Sequence, residues 1–351
     1  MYKNLLINYY KNKPKSEIQD FIKLIYQGTF GGEHLVKNKE TVFNYLLTEC
    51  NQIEISNKYE PLYEIISDEY VRINLVPYIK GNFSLKELND CFCEQKANRS
   101  LNTLIERINI FLDLVSDNTI KLNKEETTSF LEEYRKNNFP VFHHTIEYRN
   151  EYNPHYRVVP IDFLSNEMKE YQLLSFIKNI EATSKQKHVY IAVEGKCASG
   201  KTTLIDKINK STNITIVHTD DFFLSKKEKE KEIPIGDFIN YSKIIDLLKA
   251  LENNEFVTYE KFNCSKQLYE KATIHSTSKI IILEGVYSFN LHLREYMNNL
   301  IFVTINKEDQ LKRLQKRENS ESYQKFIDLW IPNEEKYYST FPILDMADLL
   351  I

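Results

Sequence analysis

The sequence has few of the residues that would place it in several common protein classes. Only five of its 351 residues are cysteine, an odd and scattered set that excludes a disulfide framework. Glycine and proline are also scarce, at eight and nine residues, and no apolar run approaches the ~20 residues that a membrane-spanning helix needs. The formal net charge of −4 leaves no basic excess for general nucleic-acid binding. We therefore expect a cytoplasmic protein with reduced thiols and neither membrane nor general nucleic-acid partners.

The chain is long enough for two domains, and its hydrophobic pattern changes once along its length. Residues 1–164 carry mostly helical periodicity, which predicts a mostly α-helical N-terminal domain of unknown role. A helical stretch and a polar linker follow over 165–187. Residues 188–351 alternate amphipathic stretches with apolar runs, which predicts a doubly wound α/β domain with a five-stranded parallel sheet. The five runs are HVYIAV, ITIVH, KIIILEG, LIFVTI and ADLLI.

A phosphate-binding motif follows the first of these runs. GKCASGKT, at 195–202, fits the P-loop (Walker A) pattern G-x-x-x-x-G-K-[ST] and lies between a β-branched run and a helical stretch. Its glycines let backbone N–H groups point at phosphate oxygens, Lys201 adds a positive charge, and the Thr202 hydroxyl can bind Mg²⁺. The residues predicted to bind the nucleotide are Gly195, Lys196, Cys197, Ala198, Ser199, Gly200, Lys201, Thr202 and Thr203.

A second short motif indicates a different use of the nucleotide. Asn306 to Asp309 spell N-K-x-D, the guanine-reading motif of P-loop GTPases. A GTP-dependent switch would also need Asp-x-x-Gly after a central strand, where this chain has Glu284 and Gly285. Asp309 equally suits the first turn of a helix, where the helix dipole favours an acidic residue. A GTPase therefore stays open as the alternative.

Polar side chains after the later strands predict transfer of the phosphate to a second substrate. Asp220 and Asp221 end the second run, where Asp220 could accept the proton of an attacking hydroxyl; alternatively, such acids only cap a helix or bind Mg²⁺ through water. Glu284 ends the central run and could support the hydrated metal. Arg313 and Arg317, four residues apart on one helix, could offset phosphate charge or form a solvated basic face.

The segments from His188 to the end resemble the uridine kinase, phosphoribulokinase and bacterial pantothenate kinase family of P-loop kinases. The resemblance is carried by GKCASGKTT, TDDFF, LEGVY, RLQKRE and FIDLWIPNEEKYYSTF. It implies ATP- and Mg²⁺-dependent phosphorylation of a hydroxyl on a small molecule, such as uridine, cytidine or a related metabolite, with Asp220 catalytic. It also implies an acceptor pocket. The candidates for that pocket are Asp221, Asp237, Tyr259 and Phe262.

The chain departs from that family in two places. Asp221 stands where true uridine kinases have a serine, and SKKEKEKEIPIG replaces a recognisable nucleoside-contacting stretch. The resemblance therefore identifies the class of kinase more securely than the acceptor. A small-molecule substrate is the expected partner, and a homo-oligomer is compatible with the sequence.

The N-terminal half gathers histidine, glutamate and arginine in two segments that lack helical periodicity. One interpretation is a metal or phosphate-ester site with arginines that bind an anion, which would make the enzyme bifunctional. The other is polar bracing, in which buried histidines are held by hydrogen bonds between helices. The spacing does not choose between them. The candidate residues are Glu33, His34, His143, His144, Arg149 and Arg157.

Overall fold

The computed structural model describes residues 2–32, 38–55, 58–94, 100–225, 233–263 and 266–351. The chain divides into two compact units, Met1–Gln172 and Leu173–Ile351. The predicted linker region, 165–187, contains this division, and the domain boundaries themselves stay a prediction. Within the described ranges, every helix is too short or too polar to cross a bilayer.

The first unit is mostly helical, as the periodicity predicts, but it also contains a small antiparallel sheet. Its strands β1 (Tyr63–Ile65), β2 (Tyr70–Asn74) and β3 (Tyr156–Pro160) pair in the order β1-β2-β3. Each strand is too short to show a clear alternation, so the sequence did not reveal them. The helices are α1 (Tyr2–Asn12), α2 (Ile18–Phe30), α3 (Lys39–Gln52), α4 (Leu75–Lys80), α5 (Leu85–Glu94), α6 (Leu101–Ser116), α7 (Lys124–Lys136), α8 (Ile146–Tyr152) and the start of α9 (Asn166–Thr183).

The core of this unit forms where α2 packs against α6. Apolar side chains recur along α2 at helical spacing, and Phe21 stacks on Phe111 of α6 with ring centroids 4.8 Å apart. Ile25 and Ile108 are fully buried in the same cluster. The helix ends at Gly31, whose φ of 69° is the left-handed conformation that glycine tolerates best.

The second unit is built on the predicted five-stranded parallel sheet. The order β10-β9-β4-β8-β5 places the first strand of the unit at the centre, and every pairing is parallel. All five residues of β8 are buried, as expected for a strand covered on both faces. The strands are β4 (Val189–Glu194), β5 (Ile214–His218), β6 (Phe256–Asn263), β7 (Leu268–His275), β8 (Ile280–Glu284), β9 (Asn299–Phe302) and β10 (Leu349–Leu350).

Helices flank this sheet, and a separate hairpin of β6 and β7 precedes the central strand β8. The helices that follow α9 are α10 (Lys201–Asn209), α11 (Tyr241–Asn253), α12 (Lys307–Arg317), α13 (Ser320–Lys325) and α14 (Ile331–Thr340). Because the strands are parallel, their carboxyl ends meet at one edge, where His218 of β5 pairs in register with Glu284 of β8. Glu194 ends β4 at the same edge. This edge positions the candidate site.

Candidate active site

The predicted phosphate-binding loop joins β4 to α10, which is the strand–loop–helix context that the motif requires. Gly195 has a φ of 145°, and a Cβ there would collide with the carbonyl oxygen of Val303, so only glycine fits. Gly200, with a φ of 97°, turns the chain into the helix. Ala198 also lies in the left-handed region, at 58°. The loop therefore bends tightly before the N-terminus of α10, where anions bind favourably.

Two predicted metal-binding residues are in direct contact beside this loop. Thr202 donates from Oγ1 to Oε1 of Glu284 at 3.0 Å, and His218 Nδ1 lies 2.9 Å from the other Glu284 oxygen. The hydrogen bond to Glu284 raises the pKa of His218. A hydroxyl and a carboxylate are oxygen donors of the kind that Mg²⁺ prefers. The donor set therefore fits a hydrated magnesium ion.

Lys201 is folded back into the loop. Its ammonium group donates to the carbonyl oxygens of Gly195 and Lys196, both at 2.9 Å, and the side chain is almost fully buried. These two bonds hold the charge inside the bend of the loop. Lys201 is thus positioned beside any phosphate that the loop binds.

The two neighbouring aspartates after β5 have different environments. Asp220 lines the cavity described below, and loss of solvent around it raises its pKa, with the charge of Glu284 adding to the effect. Asp221 is buried instead, accepting from the Tyr259 hydroxyl at 2.7 Å and pairing with Lys261 at 2.7 Å. Of the two, only Asp220 lines the cavity, while Asp221 fastens the β6–β7 hairpin to the end of β5.

The two candidate arginines of α12 both line the cavity but have different partners. Arg313 donates from NH1 to the loop carbonyls of Ala198 and Ser199, at 3.3 and 3.0 Å. Arg317 bonds to Glu318 at 2.6 Å, and its guanidinium lies 5.4 Å from the ring centroid of Phe326. Arg313 is therefore the one bonded to the phosphate loop.

One cavity of about 580 Å³ is lined by residues of the loop, by Asp220 and Glu284, and by a group of aromatic side chains that we call the aromatic wall. Phe262, an acceptor-pocket candidate, contributes to this wall. The Tyr259 hydroxyl donates to Asp221, and the Asp237 carboxylate lies 3.4 Å from His292. Neither Tyr259 nor Asp237 lines the cavity. The aromatic residues of the wall are Phe223, Phe262, Tyr287, Phe326 and Trp330.

The N-K-x-D segment serves as a helix cap. Asn306 is the N-cap of α12 and accepts from the backbone N–H of Asp309 at 2.8 Å. Its amide also donates to the Asp309 carboxylate at 2.8 Å. Both residues are described, and neither contributes to the lining of the cavity. The plain interpretation of this motif, as the start of a helix, accounts for its contacts.

No family model matches the chain, but two curated relatives are similar to part of it. The chain is 28% identical over 116 residues to uridine-cytidine kinase D of Dictyostelium discoideum, covering 33% of this chain and 23% of that protein. It is 31% identical over 169 residues to uridine-cytidine kinase B of the same organism, covering 41% of this chain and 69% of that protein. The chain belongs to the uridine-cytidine kinase family.

The family likeness covers 41% of this chain in the alignment with uridine-cytidine kinase B. A solved structure described as a possible uridine kinase from Bacillus stearothermophilus aligns with 51% of this chain and 96% of its own, at 18% identity and a TM-score of 0.41. The chain spans only about a quarter of the length of uridine-cytidine kinase D. The resemblance read from the P-loop segments is thus confirmed as a family relationship, whereas the acceptor stays open.

Two buried acids beside the kinase loop escaped the sequence analysis. Glu334 of α14 accepts the Cys197 N–H with both oxygens, at 3.1 and 3.0 Å. Burial, with the Glu334 charge adding to it, raises the pKa of the Cys197 thiol to about 12, so this thiol stays protonated. Glu194 accepts the N–H groups of Tyr287 and Phe289 at 3.1 and 2.6 Å, and burial raises its pKa to about 7. The only feature of the sequence that could have indicated Glu194 is its position as an acidic residue at the end of an apolar strand.

The N-terminal candidates are only partly brought together. Glu33 and His34 lie outside the described residues. His144 is buried between the Asp20 carboxylate and the Tyr156 hydroxyl, each 2.7 Å from a ring nitrogen, and burial lowers its pKa to about 3. The neighbouring His143 is exposed.

The arginines of this group also differ. Arg157 pairs with Glu49 at 2.7 Å, while Arg149 is exposed on α8. In the part of the chain that the structure describes, no three His, Cys, Asp or Glu side chains are placed to hold a metal. The contacts of His144 are those of polar bracing, and a second site stays a prediction.

Gly285 offers a test of how tightly the sheet edge that carries the candidate site is packed. It has a φ of 140°, and a Cβ would collide with Oγ1 of Thr219, the residue before Asp220. We expect Gly285→Ala to lower the free energy of unfolding by about 2–5 kcal/mol, because backbone strain and overpacking add. Urea denaturation of the wild type and the variant measures this difference in the free energy of unfolding.

The matched control removes the closest clash, with Oγ1 of Thr219, but keeps the backbone strain and loses the hydrogen bond from Thr219 to the Val286 carbonyl. Gly285→Ala combined with Thr219→Ala should recover part of the loss. If Gly285→Ala alone were as stable as the wild type, the backbone at this edge of the sheet would be able to accommodate the added Cβ without cost.

Proposed function

We propose that the second unit transfers the terminal phosphate of Mg·ATP to a hydroxyl group of a small molecule, with uridine and cytidine as the first candidates. The observation that supports this most is that one cavity is lined by the phosphate loop, by Asp220 and by the aromatic wall. The volume, about 580 Å³, falls within the range of small-molecule sites.

The nucleotide end of the cavity is formed by the loop and α10. Backbone N–H groups of the loop and the N-terminus of α10 would bind the phosphates, with Lys201 adding a positive charge. Thr202 and Glu284 would hold Mg²⁺, which neutralises phosphate charge when bound. Arg313, anchored to the loop carbonyls, would stabilise charge on the transferred group.

The chemical step requires a base for the acceptor. Asp220 would accept the proton of the hydroxyl as its oxygen attacks the γ-phosphorus. The bond from that phosphorus to the bridging oxygen then breaks, and ADP leaves. Asp221 cannot serve as this base because Tyr259 and Lys261 occupy its oxygens.

The aromatic wall favours a flat acceptor. Phe223 and Trp330 pack with centroids 5.7 Å apart, and Phe262 lies on the cavity surface. Aromatic side chains stack on nucleobases with a contribution of about 1–3 kcal/mol per base. A pyrimidine nucleoside therefore suits this wall better than a sugar or an aliphatic alcohol.

An acceptor screen tests the proposal. Purified protein with Mg·ATP would be incubated with uridine, cytidine, other nucleosides and aliphatic alcohols, and products would be identified by mass spectrometry. We expect phosphorylated pyrimidine nucleoside and ADP in equal amounts. Nucleotide consumption that is independent of every acceptor, with GTP preferred over ATP, would favour the GTPase alternative instead.

The pH profile of the reaction tests the role of Asp220. In the ligand-free protein, loss of solvent and the charge of Glu284 raise the pKa of Asp220, and Mg²⁺ held by Glu284 would offset the second effect. We expect kcat/KM to fall at acidic pH as Asp220 becomes protonated, because only the ionised carboxylate accepts a proton. Activity that stays constant down to the pH of unfolding would contradict the role.

A further inference from the structure

Five consecutive carbonyl oxygens of the phosphate loop, from Gly195 to Ser199, accept hydrogen bonds from side chains. Lys201 donates to the first two at 2.9 Å, Gln310 to the third at 3.1 Å, and Arg313 to the last two at 3.3 and 3.0 Å. An anion site must present N–H groups and keep carbonyl oxygens away from its ligand, because those oxygens carry partial negative charge. Side-chain donors that occupy the carbonyls therefore suit a loop that binds phosphates.

Gln310, which donates to the third of these oxygens, lies three residues before Arg313 on α12, so the two side chains share one face of the helix. Gln310 is fully buried, and its amide nitrogen lies 3.1 Å from the carbonyl oxygen and 3.2 Å from the Sγ of Cys197. A buried amide costs free energy unless it is hydrogen-bonded, so a position used only for packing would favour an apolar side chain. The contact with the loop accounts for a glutamine here.

Glu334 of α14 binds the N–H group of the same loop residue. Both of its carboxylate oxygens accept the Cys197 N–H, at 3.1 and 3.0 Å, and the residue is 4% exposed. Glu334 also lines the cavity. A carboxylate at this place repels phosphate, so it does not attract the ligand by charge. Its contribution is geometric, because Glu334 and Gln310 together fix the N–H and the C=O of Cys197.

The loop that follows Cys197 needs such support. Ala198 has a φ of 58°, in the left-handed region that residues with a side chain rarely adopt. A strained conformation of this kind persists only where the surrounding structure holds it in place. The next residues, Gly200, Lys201 and Thr202, line the cavity, and the first N–H groups of a helix have no acceptor within it. The contacts at Cys197 therefore precede the segment that would bind the phosphates.

We propose that Gln310 and Glu334 are positioning residues, which hold Cys197 so that the loop keeps the conformation in which its N–H groups face the phosphates of the nucleotide. This role rests on the proposed function only in that the loop binds nucleotide, and it does not depend on the acceptor. Without either contact, the loop would populate its binding conformation less. The apparent affinity for the nucleotide falls in proportion to that population.

Calorimetric titration of the full-length chain with Mg·ADP, without an acceptor, tests the role of Glu334. We expect Glu334→Leu to weaken Mg·ADP binding about tenfold or more, because the variant removes a hydrogen bond to a charged group that orders the loop. Glu334→Gln keeps an oxygen that can accept the Cys197 N–H and removes the negative charge, so its affinity should equal or exceed that of the wild type. Glu335→Leu makes the same change at the next, exposed position of α14 and should bind like the wild type.

A second variant tests the contact on the carbonyl of Cys197. Gln310→Leu removes the amide donor and should weaken Mg·ADP binding about fivefold, since a neutral hydrogen bond contributes less than a charged one. Both residues act through one loop residue, so their effects should not be independent. The double variant should therefore lose less affinity than the product of the two single losses.

Magnesium pyrophosphate is the second probe, because it has phosphates but neither base nor ribose. The losses in Glu334→Leu and Gln310→Leu should be as large for this probe as for Mg·ADP. A loss confined to Mg·ADP would place the effect at the base or the ribose and overturn the proposal.

The remaining outcomes separate positioning from packing. If both leucine variants bind Mg·ADP like the wild type and only their Tm is lower, the two residues merely pack α12 and α14, and the proposal is overturned. It is also overturned if Glu334→Gln loses as much affinity as Glu334→Leu, because the charge would then matter rather than the N–H contact. A wild type that binds Mg·ADP but phosphorylates no acceptor would contradict the proposed function alone, and one that binds neither probe would contradict both proposals.

Discussion

Asp220→Asn should lower kcat for phosphoryl transfer by about 10²–10⁴-fold, which is the usual contribution of a positioned general base. The amide keeps the size of the side chain but cannot accept the hydroxyl proton. Because Asp220 lies at the cavity surface and makes no hydrogen bond within the described part of the chain, the variant should fold normally. Mg·ATP affinity should change little. Single-turnover kinetics with a saturating acceptor measure the effect.

Two other aspartates provide the controls. Asp206→Asn makes the same change on the exposed face of α10 and should leave kcat unchanged. Asp221→Asn should weaken the hairpin attachment through Tyr259 and Lys261, raising KM for the acceptor more than it lowers kcat. If Asp220→Asn keeps nearly full turnover while Asp221→Asn is inactive, the base has been assigned to the wrong residue.

The parts of the kinase domain that the sequence predicts are those fixed by local patterns. Each buried parallel strand is a continuous apolar run, and the P-loop motif places Gly195, Lys201 and Thr202 within eight residues. The β6–β7 hairpin was not predicted, because its strands alternate between exposed and half-buried positions without a marked turn sequence. The Glu334 contact to Cys197 was also missed, since it joins residues 137 apart along the chain.

The first unit shows the same limit more strongly. Helical periodicity predicts α2 because its apolar residues repeat at a helical spacing. The polar residues Asp20, Lys23 and Gln27 have helical spacing too. Their partners lie in or beside a sheet whose strands, around residues 64, 72 and 158, are far apart in the sequence. His144 was predicted as part of a second site or as polar bracing, and its contacts are those of bracing. Its partner Asp20 lies 124 residues earlier, so no local pattern could connect them.

Lys201→Met should lower kcat by about 10²–10³-fold or more, because it removes a preorganised positive charge beside the transferred phosphate. The wild-type ammonium makes hydrogen bonds to the Gly195 and Lys196 carbonyls, so the variant also loses two contacts that shape the loop. The bond to the Gly195 carbonyl is buried, so the ligand-free Tm should fall as well. The larger change should be in the ligand response: Mg·ATP at 100 times its Kd stabilises the wild type by about 2.7 kcal/mol, and this increment should largely disappear.

Thermal denaturation with and without Mg·ATP, followed by turnover measurements, separates the two contributions of Lys201. Lys210→Met removes the same charge from the exposed end of α10 and should retain both ATP stabilisation and activity. If Lys201→Met is still stabilised by Mg·ATP but inactive, the lysine acts on the transition state rather than on the bound nucleotide. If it is both stabilised and active, the nucleotide does not bind at this loop, and the Asp220 result would then report on some other reaction. The two variants together therefore distinguish a kinase that uses this cavity from a protein that only binds nucleotide there.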